Sequence, residues 1–314
     1  MTNITQMETA IMPSWLYRIY AKVLSKLKRV RLRTYMAFKK RTYQLSPDRL
    51  YNTFFSPKTI LFFPDFPSRD NYAIRIICEV LGCRLTQDPN HDLIDLAIRW
   101  EDKTHKTDHA QFDDIQRKYT FINHQCNDIS KKTVQTVFED VFGFPLAVDP
   151  VTYHGTCVMK SNTNSRHDGR LIQCPIDSDE VKSDHVYEKL IDNQYDASLT
   201  QEFRIPVFKE HIPFVYLKYR PIEARFRIYT KLEIAKNKVS DLFSGEEIDA
   251  IMQFCRRIGL DYGELDVLRD KNDKHIYIVD VNDTPWGEPK SRTDRTHWQS
   301  VKMMAKTFET VFIA

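Results

Sequence analysis

Two acids and an amide near the C-terminal end are spaced for work at a cation: Asp266, Asp280 and Asn282, within "ELDVLRDKNDKHIYIVDVNDTPWG". "DKNDKH" reads as a hairpin turn, so "YGELDVLRD" and "IYIVDVN" become neighbouring antiparallel strands. Glu264, Asp266 and Leu268 then share one face of the first strand. On the second strand, Ile276, Ile278, Asp280 and Asn282 share a face, an apolar start turning into an acid and an amide. Cross-strand neighbours lie about 5 Å apart and residues two along a strand about 7 Å apart, close enough for the three to converge as hard oxygen ligands. Magnesium suits such a set, because it takes one or two carboxylates and completes its shell with water and phosphate oxygens. A divalent ion also removes the repulsion between adjacent carboxylates, which are costly to bury without a partner. The bland alternative is a pair of solvated acids beside a turn.

Other residues carry charge suited to phosphate. Lys160 ends the apolar strand "TCVMKS" and precedes the polar loop "SNTNSRHDG", where an ammonium beside backbone N–H groups can neutralise phosphate oxygens. "EARFRIY" reads as a strand with Glu223, Arg225 and Arg227 on one face, an arginine pair shaped for bidentate contact with phosphate or carboxylate. A surface lysine and a cross-strand salt bridge are the ordinary alternatives. Arg166, His167 and Asp168 stand beside Gly169 and either read a substrate or form a solvated loop of mixed charge.

The elements that must position these groups fall into two textures. From Thr59, "TILFFPDF", "DLIDLAIRW" and "KYTFIN" read as short strands, and helices in "RDNYAIRIICEVLG" and "KKTVQTVFEDVFG" end at Gly82 and Gly143. Such alternation predicts an α/β layer with a mostly parallel sheet. No G-x-G-x-x-G follows the first strand, which argues against dinucleotide binding there. After Pro150 strands predominate: "TCVMKS", "RLIQCPI", "LTQEFRIPVF", "PFVYLKYRPI", "ARFRIYTKLEIA" and the final hairpin. Helices are expected in "SDEVKSDHVYEKLID", capped at Ser178 or Asp179, and in "GEEIDAIMQFCRRIG". This half is α+β. The expected organisation is a basic helical segment over 1–45, an α/β unit over 46–150 and an antiparallel-sheet region over 151–314.

In joint order, this layout resembles the ATP-grasp superfamily, from about Lys58 to Phe312. The quoted run is a lysine strand, a glycine-bearing loop, "QEF", an acid-x-Arg strand, "ELDV" and "VDVN-x-x-P-x-G". The resemblance implies a pre-ATP-grasp α/β domain followed by the nucleotide-binding region. It implies ATP and Mg2+, with Lys160 on the phosphates, Gly169 in the covering loop, and Gln201, Glu202 and Phe203 as the hinge that holds adenine. It gives Asp266, Asp280 and Asn282 as metal ligands and Arg225 as the arginine of the acid-x-Arg strand, with catalytic stabilisation of the acyl phosphate to come from Arg225, Arg227 or Arg220. The chain departs from the pattern in three places. The loop has one glycine, Asp280 stands where Glu is commoner, and Glu264–Leu265 precede Asp266 where some ligases place an arginine. The implied activity is ATP-dependent carboxylate–amine ligation through an acyl phosphate. The alternative is a kinase of the same type, phosphorylating a hydroxyl of a sugar, polyol or glycan. By analogy, a small-molecule, peptide or glycan acceptor would sit near Asp65, Arg69 and Asn123.

The bulk numbers limit the remaining classes. The 314 residues are 42% hydrophobic with a net charge of +3, enough for two or three cored units and unlike a disordered chain. The first 45 residues hold ten Lys or Arg against Glu8 alone, a charge of +9, which leaves −6 for the rest. One basic segment on an acidic body does not suggest a nucleic-acid-binding protein. That segment has helical period, with Leu16, Tyr20, Val23, Leu27 and Val30 opposite Arg18, Lys22, Lys26 and Arg29. Packing on the body or on a second subunit and attachment to an anionic membrane surface both fit it. No apolar run nears the roughly 18 residues of a membrane span, the N-terminus lacks a secretory layout, and six scattered cysteines read as reduced thiols. A cytoplasmic enzyme is the expectation, with membrane association through the basic segment left open.

Overall fold

The computed structural model describes residues 34, 37–44, 57–226, 231–234, 238–286 and 294–314. Most of the basic amphipathic segment lies outside the described residues; its end is helical at 37–44.

The first unit is a four-stranded parallel sheet in the order β2-β1-β3-β4, made of Thr59–Pro64 (β1), Arg84–Thr86 (β2), Leu96–Trp100 (β3) and Phe121–Ile122 (β4). β1 buries five residues in a row and β3 all five of its own, as strands do when both faces are covered. One cover is helix α1 (Ala73–Leu81), which ends where Gly82 takes φ 72°. The other is α2 (Phe112–Lys118), whose Phe112 and Ile115 pack on Leu61 and Phe63.

The second half holds two antiparallel sheets. A small one has the order β6-β5-β7, from Gly155–Ser161 (β5), Arg170–Cys174 (β6) and His185–Lys189 (β7). A large one has the order β10-β9-β8-β11-β12, from Leu199–Phe208 (β8), Tyr216–Pro221 (β9), Lys231–Ile234 (β10), Tyr262–Arg269 (β11) and Ile276–Asn282 (β12). Helices α3 (Lys131–Phe142) and α4 (Gly245–Ile258) bury Val134, Phe138, Ile251, Phe254 and Ile258 against Ile205, Val207, Leu265, Val267 and Ile278 on one face of this sheet. Packing therefore draws the units differently from the 150/151 division. Helix α3 shares its core with the large sheet, and α5 (Asp294–Phe308) returns to the first unit, placing Val301, Met304, Ala305 and Phe308 beside Ile74 and Ile77.

Two expected elements are replaced. "SDEVKSDHVYEKLID" is not a helix: one 3-10 turn spans Ser178–Glu180, with Asp177 rather than Ser178 or Asp179 at its N-cap, and His185–Lys189 is the strand β7. Pairing with β5 and burial of Tyr187 against Cys157 and Met159 outweigh the helical period. "EARFRIY" is not a continuous strand either, because Ile222–Ala224 forms a 3-10 turn directly after β9. Glu223 belongs to that turn, and Arg227 lies outside the described residues. The described cysteines are all free. No helix among the described residues is long and apolar enough to cross a membrane.

Candidate active site

The face of the large sheet away from α3 and α4 carries a row of charges, and the strand pairing dictates their neighbours. Asp266 lies directly opposite Asp280 on one side and Arg204 on the other. Glu202 lies opposite Lys218, and Glu264 opposite Asn282. A bulge resolves the mixed face of the last strand. The register shifts at Asp266/Val267, so Val267 pairs with Ile278 and Val279 is the extra residue. Ile278 and Val281, three apart, can then both be fully buried in the core while Asp280 and Asn282 between and beyond them stay partly exposed.

Asp266 is the most heavily engaged acid. Arg204 donates from Nε to Oδ1 at 2.9 Å and from NH2 to Oδ2 at 3.2 Å, and Lys218 Nζ lies 3.1 Å from each oxygen. Burial opposes the charge of this carboxyl, but the adjoining Arg204 and Lys218 outweigh it and hold the group well below the usual carboxylate range. Arg204 also lies 3.3 Å from Glu264 Oε2, and Glu202 takes Arg220 at 2.6 Å together with Lys218. Burial works against both guanidiniums, yet these acids raise them above their ordinary values.

Cations from two further elements reach the same edge. Lys131, at the start of α3, donates to Asp280 Oδ1 at 3.0 Å and to Asn164 Oδ1 at 3.3 Å. Lys160 crosses from the small sheet to donate to the carbonyl of the bulged Val279 at 3.1 Å, and pairs with Glu188 at 2.8 Å. Asn164 donates to Val281 O at 3.0 Å, while its backbone N–H reaches Thr104 Oγ1 at 2.9 Å. The 162–169 loop is thus pinned over the edge of β12. Thr284 N–H donates to Asn282 Oδ1 at 3.1 Å, and the Thr284 hydroxyl and Tyr72 both donate to Asp102 at the C-terminal end of β3.

The expected site residues divide accordingly. Lys160, Asp266, Asp280 and Asn282 come together. Gln201, Glu202 and Phe203 do not form a hinge: they lie inside β8, laddered to β9, with Phe203 also paired to Val267 of β11 and buried in the core. A strand with its backbone bonds committed cannot offer them to a base edge. The connection between the two sheets is residues 190–198 instead. Arg225 follows the 3-10 turn and donates to Asn193 Oδ1 of that connection at 3.2 Å, where burial pushes its guanidinium below its ordinary value. Asn123 is fully buried in a seam and meets no solvent. Missed by sequence were Arg204, Lys218, Lys131 and Asn164. Arg204 had a signal, since Glu202-x-Arg204 is itself an acid-x-Arg strand; Lys131 had none beyond "SKK" opening a helix.

A magnesium ion can be tested against these donors. A carboxylate has about four lone-pair sites, and Asp266 already accepts four contacts, so as arranged it serves Arg204 and Lys218. Asp280 keeps Oδ2 and Asn282 an acceptor site on Oδ1, a pair that fits a largely hydrated hard cation. Among the described residues, no group of three or more His, Cys, Asp and Glu side chains is placed to hold a metal.

No family model and no curated protein matches the chain. Several solved structures do. The ATP-grasp ligase PsnB with a phosphomimetic precursor variant, Mg and ADP is 11% identical at TM-score 0.49, over 80% of this chain and 99% of that one. PsnB complexed with minimal precursor is 14% identical at TM-score 0.40, over 61% of this chain and 66% of that one. D-alanine–D-alanine ligase from Bacillus anthracis is 12% identical at TM-score 0.49, over 81% of this chain and 97% of that one. A RimK-domain ATP-grasp protein from Sphaerobacter thermophilus is 10% identical at TM-score 0.46, over 82% and 100%. At such identities and TM-scores, residue roles rest on the contacts of this chain.

Proposed function

We propose that the chain is an ATP-dependent ligase of ATP-grasp type, joining a carboxylate to an amine. The supporting observation is the meeting of Lys131, at the start of α3, with Lys160 and Asn164, from β5 and the loop that follows it, on the Val279–Val281 edge beside Asp280 and Asn282. Two ammonium groups brought to one strand end are suited to sharing the oxygens of a polyphosphate. Magnesium at Asp280 and Asn282 would neutralise phosphate oxygens. Asp280 would then release Lys131 toward the phosphates, and Lys160 would turn from Val279 O to the same oxygens. The adenine would rest on the 190–198 connection, in place of Gln201, Glu202 and Phe203. A carboxylate oxygen of the substrate attacks the γ-phosphorus and ADP leaves; the amine then attacks the acyl carbon, phosphate leaves and the amine loses its proton. Charge built up in both steps faces Arg204 and Lys218, held rigid by Asp266, so catalysis is positioning plus fixed charge. Arg204 would take the charge-stabilising role expected of Arg225, while Arg227 lies outside the described residues.

Free phosphate released only when a carboxylic acid and an amine are both supplied is the expected outcome. Labelled phosphate retained on an alcohol would favour the kinase instead. The site is tested separately by thermal and chemical unfolding: Mg-ATP at about 100 times its dissociation constant adds roughly 2.7 kcal/mol. Asp280→Ala should lose that gain, and an undiminished gain would reject the assignment.

A further inference from the structure

The loop 162–169 is fixed at its first half by Asn162 and Asn164. Asn162 Oδ1 accepts from Lys132 N–H at 2.8 Å, and Asn164 bridges Thr104, Lys131 and Val281. Its second half returns to β6 through Ser165 and His167, at φ 60° and 53°, and ends at Gly169. This glycine is not among the residues of positive φ, so backbone freedom does not explain it. Close approach does: a Cβ built on Gly169 would stand 2.9 Å from Phe226 Cδ1 and 3.3 Å from Cγ. The ring of Phe226 lies against the bare backbone of the loop's last residue.

Phe226 comes from the opposite wall. It follows the 3-10 turn Ile222–Ala224 that leaves β9, a strand of the large sheet. Its neighbour Arg225 donates to Asn193, which in turn donates to Gln201 O at 2.7 Å, and Ile222 N–H donates to Ser198 O at 3.0 Å. Two consecutive side chains therefore hold the two borders of the space between the sheets, Arg225 the connection 190–198 and Phe226 the loop that follows Lys160.

We propose that Phe226 is a positioning residue for the nucleotide, seating the 162–169 loop at a fixed distance from the 190–198 connection. This rests on the nucleotide site proposed above. Gly169 is then required because a side chain there would push the ring, and with it the loop, off register. Arg225 acts through the connection, by its bond to Asn193.

Titration calorimetry with Mg-AMP-PNP tests it on the full chain, using Gly169→Ala, Phe226→Ala and the double variant. Gly169→Ala should weaken binding about tenfold and Phe226→Ala by about as much. The double variant should bind no worse than Phe226→Ala, because the three closest atoms to the added methyl all belong to the ring that is gone. Unfolding midpoints without nucleotide should stay together, separating positioning from a general loss of structure. Amide exchange of 162–170 in nucleotide-free Phe226→Ala should speed up, a readout independent of any ligand. Multiplying losses in the double variant, or unchanged exchange, would overturn the proposal. Failure of the unsubstituted protein to bind Mg-AMP-PNP would instead overturn the nucleotide site, and the role of Phe226 with it.

Discussion

At the scale of single residues, Asp266 and Asp280 look alike in sequence and separate in structure. Asp266 is surrounded by Arg204 and Lys218, whereas Asp280 shares one oxygen with Lys131 and is one-third exposed. Removing one member of a buried charge set leaves the others uncompensated, at about 3–5 kcal/mol. Asp266→Ala should therefore cost about that much in urea unfolding, with Asp266→Asn as the milder variant. Asp280→Ala should cost under about 1 kcal/mol, since solvent screens what remains. The acid limb follows from the same contacts. The folded carboxyl of Asp266 is held below the unfolded value of about 3.9, so the unfolded chain binds the proton first as pH falls. This contribution is fully present above about pH 5 and is lost as pH drops through the folded value. Asp266→Asn should flatten the rise of stability between about pH 2 and 5 relative to the unsubstituted protein. An unchanged acid limb would place the charge set elsewhere.

At the scale of elements, the site depends on how β11 meets the end of β12. Gly263 allows the approach: a Cβ there would lie 2.7 Å from Asn282 O and 3.2 Å from Asp283 Cα. Gly263→Ala should push the Asn282–Thr284 corner outward, at about 1–3 kcal/mol by overpacking. It should also reduce the Mg-ATP-dependent rise in unfolding midpoint, which a surface alanine would leave intact. Much of this architecture was legible in sequence. Apolar runs fixed β1 and β3, Gly82 and Gly143 closed their helices, and "DKNDKH" made the hairpin. What was not legible depended on partners distant in sequence. "HVYEK" has helical period and becomes a strand only because β5 lies beside it. Two acid-x-Arg pairs, Glu202/Arg204 and Glu223/Arg225, are equivalent as text, and only the register against Asp266 distinguishes them. The bulge at Val279 is invisible in "YIVDVN", yet it re-aims Asp280 and frees the carbonyl that Lys160 takes.

At the scale of the molecule, the first sheet and the large sheet are joined through Asn123, at the C-terminal end of β4. Its N–H donates to Asp261 Oδ2 at 2.8 Å and its Nδ2 to Tyr262 O at 2.7 Å. Its Oδ1 accepts from the N–H groups of Asp261 and Tyr262, both at 2.8 Å. It does so with φ 58°, a conformation that Asn tolerates better than most side chains. The opening of β11, four residues before Asp266, is thus satisfied by a residue of the other unit rather than by its own sheet. Asn123→Ala would leave those backbone groups buried without their partners, at about 1–3 kcal/mol for each group that water cannot reach. It would add roughly 1–2 kcal/mol for holding alanine at positive φ. Asn123→Gly keeps the conformation and loses the bonds, so it should be less damaging than Asn123→Ala by about that second amount. Urea unfolding of the three proteins gives the difference directly, and amide exchange at Tyr262 should rise in both variants. Equal stability of the Gly and Ala variants would show that the left-handed backbone at 123 is not held in solution. A protected Tyr262 amide in both would show that this seam does not depend on the Asn123 side chain.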